Sequence, residues 1–178
     1  MKRVAILLIL SSMIVATGCE EKIKPSVLGG VSSAALPSQE SWNATVTFTD
    51  SGIVKAILKA GHIAQFEGSK LTLLDKGVHV DFFDERGAHS SVLTSLTGKV
   101  DENTNNLEAD GNVVVVSDSG VVVETEKLLW DNQRQIIRSD EFVKITSPKE
   151  HLEGHGFESD QSLKNYKIFR VTGTAKPQ

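Results

Sequence analysis

Histidine and carboxylate side chains occur close together around the segment HLEGHGF, and both residue types bind metal ions. The candidate ligands are Glu150, His151, Glu153 and His155. On an extended strand His151 and His155 point to the same face, but residues four apart are about 13 Å distant. One ion could therefore reach both histidines only if the chain bent at Gly154. The pattern does not predict a metal site, and no cofactor is expected.

Motifs for catalysis are missing from the sequence. It has neither the Gly-x-Ser-x-Gly turn of hydrolases nor the Gly-x-x-x-x-Gly-Lys-Ser/Thr loop that binds nucleotide phosphates. Acidic residues fall in turn-like segments such as Asp84-Glu85 and Asp140-Glu141, where carboxylates are usually solvated. The net charge of −4 gives no support to nucleic-acid binding. We therefore expect no catalytic residues, no enzyme activity and no nucleic-acid partner.

The sole cysteine, Cys19, follows an N-terminal segment of the kind that directs export. Lys2 and Arg3 form a short positive region, and the apolar run after them is shorter than a bilayer span. The sequence Ala16-Thr17-Gly18-Cys19 resembles a bacterial lipobox, although Ala16 stands where leucine is usual. We expect residues 1–18 to be a signal peptide and Cys19 to carry a lipid anchor. An uncleaved anchor helix and an ordinary signal with an incidental cysteine are the alternatives.

The remaining chain divides into a tether, a domain and a tail. Residues 19–40 contain proline, glycine and serine in no periodic pattern, which predicts a lipidated N-terminus and flexible tether spanning about 25 Å. Residues 41–174 are predicted to form one β-domain, and residues 175–178 a short tail. Such a tether would hold the domain near a membrane without packing it against the surface.

The segment Gly111–Thr146 sets the pattern for the domain. Two β-branched apolar runs flank Ser-Asp-Ser-Gly, which predicts a hairpin. Further turns are predicted at Asp131-Asn132-Gln133 and at Ser139-Asp140-Glu141. Four strands in about 35 residues describe an antiparallel meander, and nothing here keeps a helical period. The predicted fold class is all-β and antiparallel.

The region before this meander is also predicted to be β-structure. Ile53–Ala60 alternates, which predicts that Val54, Ala56, Leu58 and Ala60 face inward while Lys55 and Lys59 face water. An amphipathic helix fits the same residues, but a strand is preferred because the neighbouring segments are strands. A turn is predicted at Asp75-Lys76-Gly77, and Ser91–Val100 is predicted to be one strand.

Three segments of the chain, in this order and spacing, carry a resemblance to a known family. They are SWNATVTFTDSGIVKAILKAGHI, then DGNVVVVSDSGVVVETEKLLWD, then VKI…LEGHGFESDQSL…YKI. Together they cover about Ser41 to Thr172, and they resemble the LptC family, the periplasmic C component of the lipopolysaccharide export machinery. Many members of that family hold the membrane with an uncleaved helix, whereas this chain has the lipobox-like sequence.

The resemblance implies an open antiparallel β-jellyroll with two facing sheets, and it implies partners. These would be lipopolysaccharide, the permease subunits of an inner-membrane ABC transporter, and a periplasmic bridge protein of similar fold. The N-terminal edge, with Val46–Thr49, would meet the transporter, and the C-terminal edge, with Tyr166–Val171, would meet the bridge. The resemblance also implies a periplasmic protein that the N-terminal lipid anchors to the inner membrane in preference to the outer membrane.

An open jellyroll has an apolar interior that can shelter acyl chains, because each CH₂ kept from water is worth about 0.8 kcal/mol. Alternation along the predicted strands gives six candidates for the glycolipid groove: Phe48, Leu74, Val80, Val114, Val143 and Tyr166. The alternative for each of these residues is that it packs in a filled core and does not contact lipid. Tyr166 aligns with a tyrosine in the family's last strand. Gly154 and Gly156 match the family's Gly-x-Gly strand, where a bulge or a close crossing would explain them.

A different class of protein also fits part of the pattern. A structural or glycan-binding surface lipoprotein with a β-sandwich would share the lipobox, the tether and the strands. Glycan binding usually employs exposed aromatic residues, and only 6% of this chain is aromatic. Trp130 either covers the end of a sheet or stacks on a sugar. Lipid transfer is therefore the preferred hypothesis.

Overall fold

The ordered elements are all β-strands in the computed structural model, which describes residues 36–175. The strands are β1 (Gln39–Asp50), β2 (Ile53–Phe66), β3 (Leu71–Phe83), β4 (His89–Ser95), β5 (Thr97–Asp101), β6 (Asn106–Ser117), β7 (Val122–Asp131), β8 (Ile136–Thr146), β9 (His151–Asp160) and β10 (Tyr166–Ala175). No helix within 36–175 has the length and hydropathy of a membrane span. The all-β prediction is confirmed, and β2 is a strand rather than a helix. β1 begins at Gln39, two residues before the predicted start of the domain.

The strands form one antiparallel sheet in the order β1-β2-β3-β4-β6-β7-β8-β9-β10. The short strand β5 continues the line of β4 and pairs with β3 and β6. Within the described range β1 pairs only with β2, and β10 pairs only with β9. The sheet is therefore open, with β1 and β10 as its two edges.

Two of the predicted turns are wrong, because the chain continues through them as bulged strand. Asp75-Lys76-Gly77 lies inside β3, where Lys76 and Gly77 have φ of 59° and 88°. Ser139-Asp140-Glu141 lies inside β8, where the pairing register shifts. Glycine and short polar residues favour irregular backbone, which occurs in a bulge as readily as in a chain reversal. The predicted strand Ser91–Val100, in contrast, is interrupted at Leu96 between β4 and β5.

These irregularities form a line across the sheet, which we call the bend line. Register shifts occur at Ala60/His62, Asp110/Val113, Thr125/Leu129 and Ser139/Phe142, and the pairing of β9 with β10 skips Gly156 and Phe169. The bend line divides the strands into two sets of half-strands. Layer A comprises residues 44–60, 78–95, 113–125, 142–155 and 170–175, and layer B comprises residues 39–42, 62–75, 97–110, 128–139 and 157–168.

Contacts between strands that are not neighbours in the sheet show that the two layers face each other. The ring of Trp130 in layer B lies 5.6 Å from that of Phe48 and 5.1 Å from that of Phe82, both in layer A. Ser91 in layer A donates a hydrogen bond from its hydroxyl to the Gln161 carbonyl oxygen at 2.6 Å. The molecule is thus a β-jellyroll of two layers, as predicted.

The apolar rows of the two layers meet in one core. Its largest fully buried side chains include Trp130, Phe82 and Phe157. In β2 the predicted inward face is correct for Ala56, Leu58 and Ala60, which are all buried. Lys59 is exposed as predicted, but Lys55 is 8% exposed, so its predicted solvent position is wrong. A bulge in the pairing of β1 with β2 beside Lys55 interrupts the simple alternation.

Candidate functional site

The structure places the six predicted groove residues in three different environments. Leu74, Val80 and Val143 are fully buried in the core. Phe48 and Tyr166 lie on the edge strands, half-buried against that core. Val114 lies on the outer face of the sheet, so its assignment to the interior is wrong.

The error at Val114 has a physical cause in the run of four valines in β6. Its neighbours Val113 and Val115 are buried, and Val115 pairs with the buried Val123. A run of identical residues has no alternation, so the pattern does not define which residues point inward. The face is set by the bulge between Asp110 and Val113, which the sequence does not locate.

Trp130 occupies the centre of the interior rather than its surface. Its side chain is 0% exposed, which excludes the sugar-stacking alternative for this residue in the described structure. When its side-chain amide takes the orientation that satisfies both neighbours, Gln161 accepts a hydrogen bond from Trp130 Nε1 at 2.7 Å and donates one to the Phe83 carbonyl oxygen at 3.2 Å. Gln161 thereby connects the two layers and satisfies the indole N–H inside an apolar core.

The interior rows of the two edge strands differ from those of the inner strands. On β1 the row contains Ala44, Val46 and Phe48, which pair with buried residues of β2. Ala44 and Phe48 are half-buried, and Val46 is exposed. The alternation in ATVTF is the sequence signal that identifies this row, and it extends the predicted site to Ala44.

On β10 the corresponding row begins with Tyr166 and Ile168, which are half-buried. Ile168 pairs with the fully buried Phe157. Val171, farther along the strand, pairs with the buried Gly154 and is itself exposed. Both edges of the sheet thus present apolar side chains from the interior face to solvent.

The hydroxyl group of Tyr166 is held in place by a neighbouring turn. It donates a hydrogen bond to Glu150 Oε1 at 3.0 Å. Burial and the Glu150 carboxylate raise the pKa of Tyr166, so the phenol stays protonated at neutral pH. The ring therefore presents an apolar surface to the interior while its polar end is satisfied.

The outer face of the β1 edge carries a separate polar cluster around His62. Its Nδ1 lies 2.9 Å from Asp75 Oδ2, and its Nε2 lies 3.2 Å from Glu40 Oε1. The hydrogen bond to Asp75, together with Glu40, raises the pKa of His62. The ring of Trp42 packs 5.1 Å from the imidazole. These contacts connect β1 to β2 and β3.

The glycines predicted to be structural lie where β9 and β10 approach most closely. A Cβ atom on Gly154 would overlap the Arg170 carbonyl oxygen and the Ile168 side chain. Gly156 has a φ of 78°, and a Cβ atom there would lie 2.8 Å from the Phe169 ring. The close approach at Gly154 and the positive φ at Gly156 support a structural role for both glycines, in a bulge and a close crossing of strands.

The histidines of β9 lie apart and make separate contacts. His151 Nδ1 is 3.1 Å from Thr146 Oγ1, and the His155 ring packs 5.2 Å from that of Phe142. Among residues 36–175 no group of three histidine, cysteine or acidic side chains is placed to hold a metal ion. Each histidine thus contacts a different neighbouring side chain.

The fold and this site define a class of protein: an open, two-layered β-jellyroll whose edge strands present apolar rows from the interior. The family model described as "Lipopolysaccharide-assembly, LptC-related" matches residues 4–175. The chain belongs to the LptC family. No curated protein matches it.

Membership of this family establishes the general role of the chain. It acts in lipopolysaccharide transport in the Lpt system, as a transport component and not as an enzyme. It is a periplasmic component tied to the inner membrane, and its partners are lipopolysaccharide and the Lpt transporter. The predicted signal peptide at 1–18 and the predicted anchor Cys19 lie outside the described residues.

Proposed function

We propose that the chain is the membrane-anchored component that accepts lipopolysaccharide from the permease subunits of the inner-membrane ABC transporter. It passes the lipid to a periplasmic bridge protein of similar β-jellyroll fold. The β1 edge receives lipid, and the β10 edge delivers it. The hydrolysis of ATP by the transporter drives the movement, because this sequence has no nucleotide-binding loop of its own.

The observation that carries this proposal is the pair of open edges with apolar interior rows. An unpaired strand offers backbone donors and acceptors to a strand of another protein. If similar jellyrolls dock edge to edge, their interior rows join into one apolar path. Acyl chains gain about 0.8 kcal/mol for each CH₂ that such a path keeps from water.

The same geometry indicates where lipid would enter. The inner strands have fully buried interior rows, so acyl chains there would have to displace packed side chains. At the edges, Phe48 and Tyr166 are only half-buried and can change position at lower cost. Loading would therefore begin at these edge residues and separate the layers from the open sides.

A photo-crosslinking amino acid at Tyr166 tests the proposal in cells. We expect adducts to lipopolysaccharide and to the periplasmic bridge protein, because Tyr166 lies on the interior row of the delivering edge. The matched control is the same probe at Lys167, the next residue, which is exposed and pairs with Glu158 in β9. We expect no lipid adduct there.

An absence of both adducts at Tyr166, in a folded and membrane-bound protein, would contradict the proposal. It would mean that the β10 edge is not part of the lipid path. Equal lipid adducts at Tyr166 and Lys167 would show that the probe reacts with lipid equally on both faces of β10. That result would contradict the assignment of the β10 row as part of the path.

The lipid anchor is tested separately by Cys19→Ala. Because the thiol of Cys19 is the atom that would carry the lipid, we expect the variant to lose its attachment and to leave the membrane fraction. Fractionation of cells and immunoblotting measure the distribution, and metabolic labelling with a fatty acid measures the modification. Unchanged membrane association together with no labelling of the wild type would favour the uncleaved anchor helix.

A further inference from the structure

A histidine joins three strands on the outer face of the sheet, next to the bend line. His62 of β2 lies between Trp42 of β1 and Asp75 of β3, which are its partners in the strand pairing. It directly follows Gly61, where the register of β2 with β3 shifts. Its side chain therefore adds a connection from β3 to an edge strand that pairs only with β2 within residues 36–175.

Both ring nitrogens of His62 face carboxylate oxygens. Nδ1 lies 2.9 Å from Asp75 Oδ2, and Nε2 lies 3.2 Å from Glu40 Oε1. A neutral imidazole has one N–H and one lone pair, whereas an ionised carboxylate only accepts hydrogen bonds. A neutral His62 would satisfy one carboxylate and turn a lone pair toward the other. Both contacts are favourable only when His62 is an imidazolium, which donates to each carboxylate.

The charged groups around His62 come from all three strands. Glu40 faces the imidazole from β1 and Asp75 faces it from β3, where Lys76 follows Asp75 in the bulge. Along β2 itself the nearest charged residue is Lys59, which forms its ion pair with another carboxylate of β3. The two carboxylates are thus the groups that contact the ring, and their charges favour the imidazolium.

Two further observations agree with a protonated ring. The hydrogen bond to Asp75, opposed by burial and assisted by Glu40, raises the pKa of His62 above its ordinary value of 6.5. The ring of Trp42 lies 5.1 Å from the imidazole, within the distance at which an aromatic ring attracts a cation. The site is therefore built around the charged form of His62.

We propose that His62 is a proton-dependent clamp, which holds residues 39–42 at the start of β1 to the inner strands of the sheet. With the proton in place, the imidazolium donates to Glu40 and Asp75 and connects three strands. When the proton is lost, the shorter contact with Asp75 keeps the remaining N–H. Glu40, whose side chain is 43% exposed, then turns toward water, and the start of β1 loses its connection to β3.

The direction of the effect follows from the sign of the pKa shift. His62 binds its proton more tightly in the folded chain than in the unfolded chain, so the clamp contributes its full stabilisation below pH 6.5. The contribution is lost as the pH rises through the raised pKa of the folded state. Residues 39–42 should therefore be held firmly in mildly acidic solution and should fray in alkaline solution.

Hydrogen exchange of the full chain at two pH values tests the clamp. After correction for the intrinsic effect of pH on exchange, we expect protection of the amides at 39–42 to fall about threefold from about pH 5.5 to about pH 8.5, as suits a partly exposed ion pair. His62→Gln cannot carry the charge and should show no such fall. The matched control is His155→Gln in β9, whose imidazole packs against Phe142, and it should keep the wild-type pH dependence.

A second variant and a second measurement cover the case that His62→Gln disturbs the fold. Glu40→Gln changes an exposed side chain and removes one of the two carboxylates, so it should lower the pKa of His62 and remove most of the pH dependence at 39–42. NMR titration of the imidazole measures that pKa, which we expect to exceed 6.5 in the wild type. A wild-type pKa at or below 6.5, or equal pH dependence of protection in wild type and Glu40→Gln, would overturn the proposal.

The clamp acts on the edge strand that is proposed to receive lipid, and only this consequence rests on the proposed function. Loosening of residues 39–42 would weaken the pairing of β1 with a strand of the transporter. Exchange is measured on the chain alone, so the two ideas fail separately. If the pH dependence appears but Tyr166 gives no lipid adduct, the clamp stands and the lipid path is wrong. If Tyr166 crosslinks to lipid but protection at 39–42 does not change with pH, the lipid path stands and the clamp is wrong.

Discussion

Replacing Trp130 with alanine is expected to lower the free energy of unfolding by about 3–5 kcal/mol, the range for removing a large aromatic side chain from a packed core. The indole is fully buried and contacts Phe48 and Phe82 across the two layers. Its loss would leave a cavity and would remove the hydrogen bond to Gln161. Urea unfolding of the full chain, followed by far-UV circular dichroism, measures the change.

The chain provides a matched control in its other tryptophan. Trp42 is 59% exposed on the outer face of β1, where its ring contacts His62. Trp42→Ala removes the same atoms from an exposed position and should change stability by about 0.5 kcal/mol. If the two variants lost the same stability, Trp130 would not be the contact that holds the layers together. A stable Trp130→Ala would instead indicate an interior that tolerates rearrangement, as lipid loading requires.

Strand content and antiparallel order could be predicted because they depend on local chemistry. β-Branched residues and alternation identify strands, and short polar segments between them imply antiparallel neighbours. The hairpin that joins β6 and β7 is an example, since Ser-Asp-Ser-Gly connects its two valine runs as predicted. Alternation also predicted inward faces for Leu74, Val80 and Val143, and all three side chains are buried.

The bend line could not be predicted from the same signals. Asp75-Lys76-Gly77 and Ser139-Asp140-Glu141 have the composition of turns, yet each lies inside a long strand. Whether the chain reverses or bulges depends on whether the partner strand continues alongside, and that is a property of the whole sheet. The two-layered shape depends on these bulges, so it came from the family resemblance and not from the residues alone.

Two side chains of the predicted strands were misplaced for related reasons. Val114 lies in a valine run without alternation, and Lys55 lies beside a bulge that shifts the register between β1 and β2. In both cases a shift of one residue reverses the face of a side chain.

Replacing Gly154 with valine is expected to detach β10 from β9 and to abolish delivery of lipid to the bridge protein. A side chain at this position meets the carbonyl oxygen of Arg170, a backbone atom that cannot move without breaking the strand pairing. Overpacking of this kind typically costs about 1–3 kcal/mol. Because β10 pairs only with β9 within residues 36–175, the strain falls on the strand that forms the delivering edge.

The matched control for this prediction is Gly68→Val, in the turn between β2 and β3. A Cβ atom on Gly68 has no heavy atom within 4 Å, so the same added side chain should be tolerated. Hydrogen exchange of the β10 amides should become fast in Gly154→Val and remain slow in Gly68→Val. Crosslinking from Tyr166 to the bridge protein should be lost only in the Gly154 variant. If exchange in β10 became fast while delivery persisted, the β10 edge would not be the docking strand, and lipid would leave the jellyroll by another side.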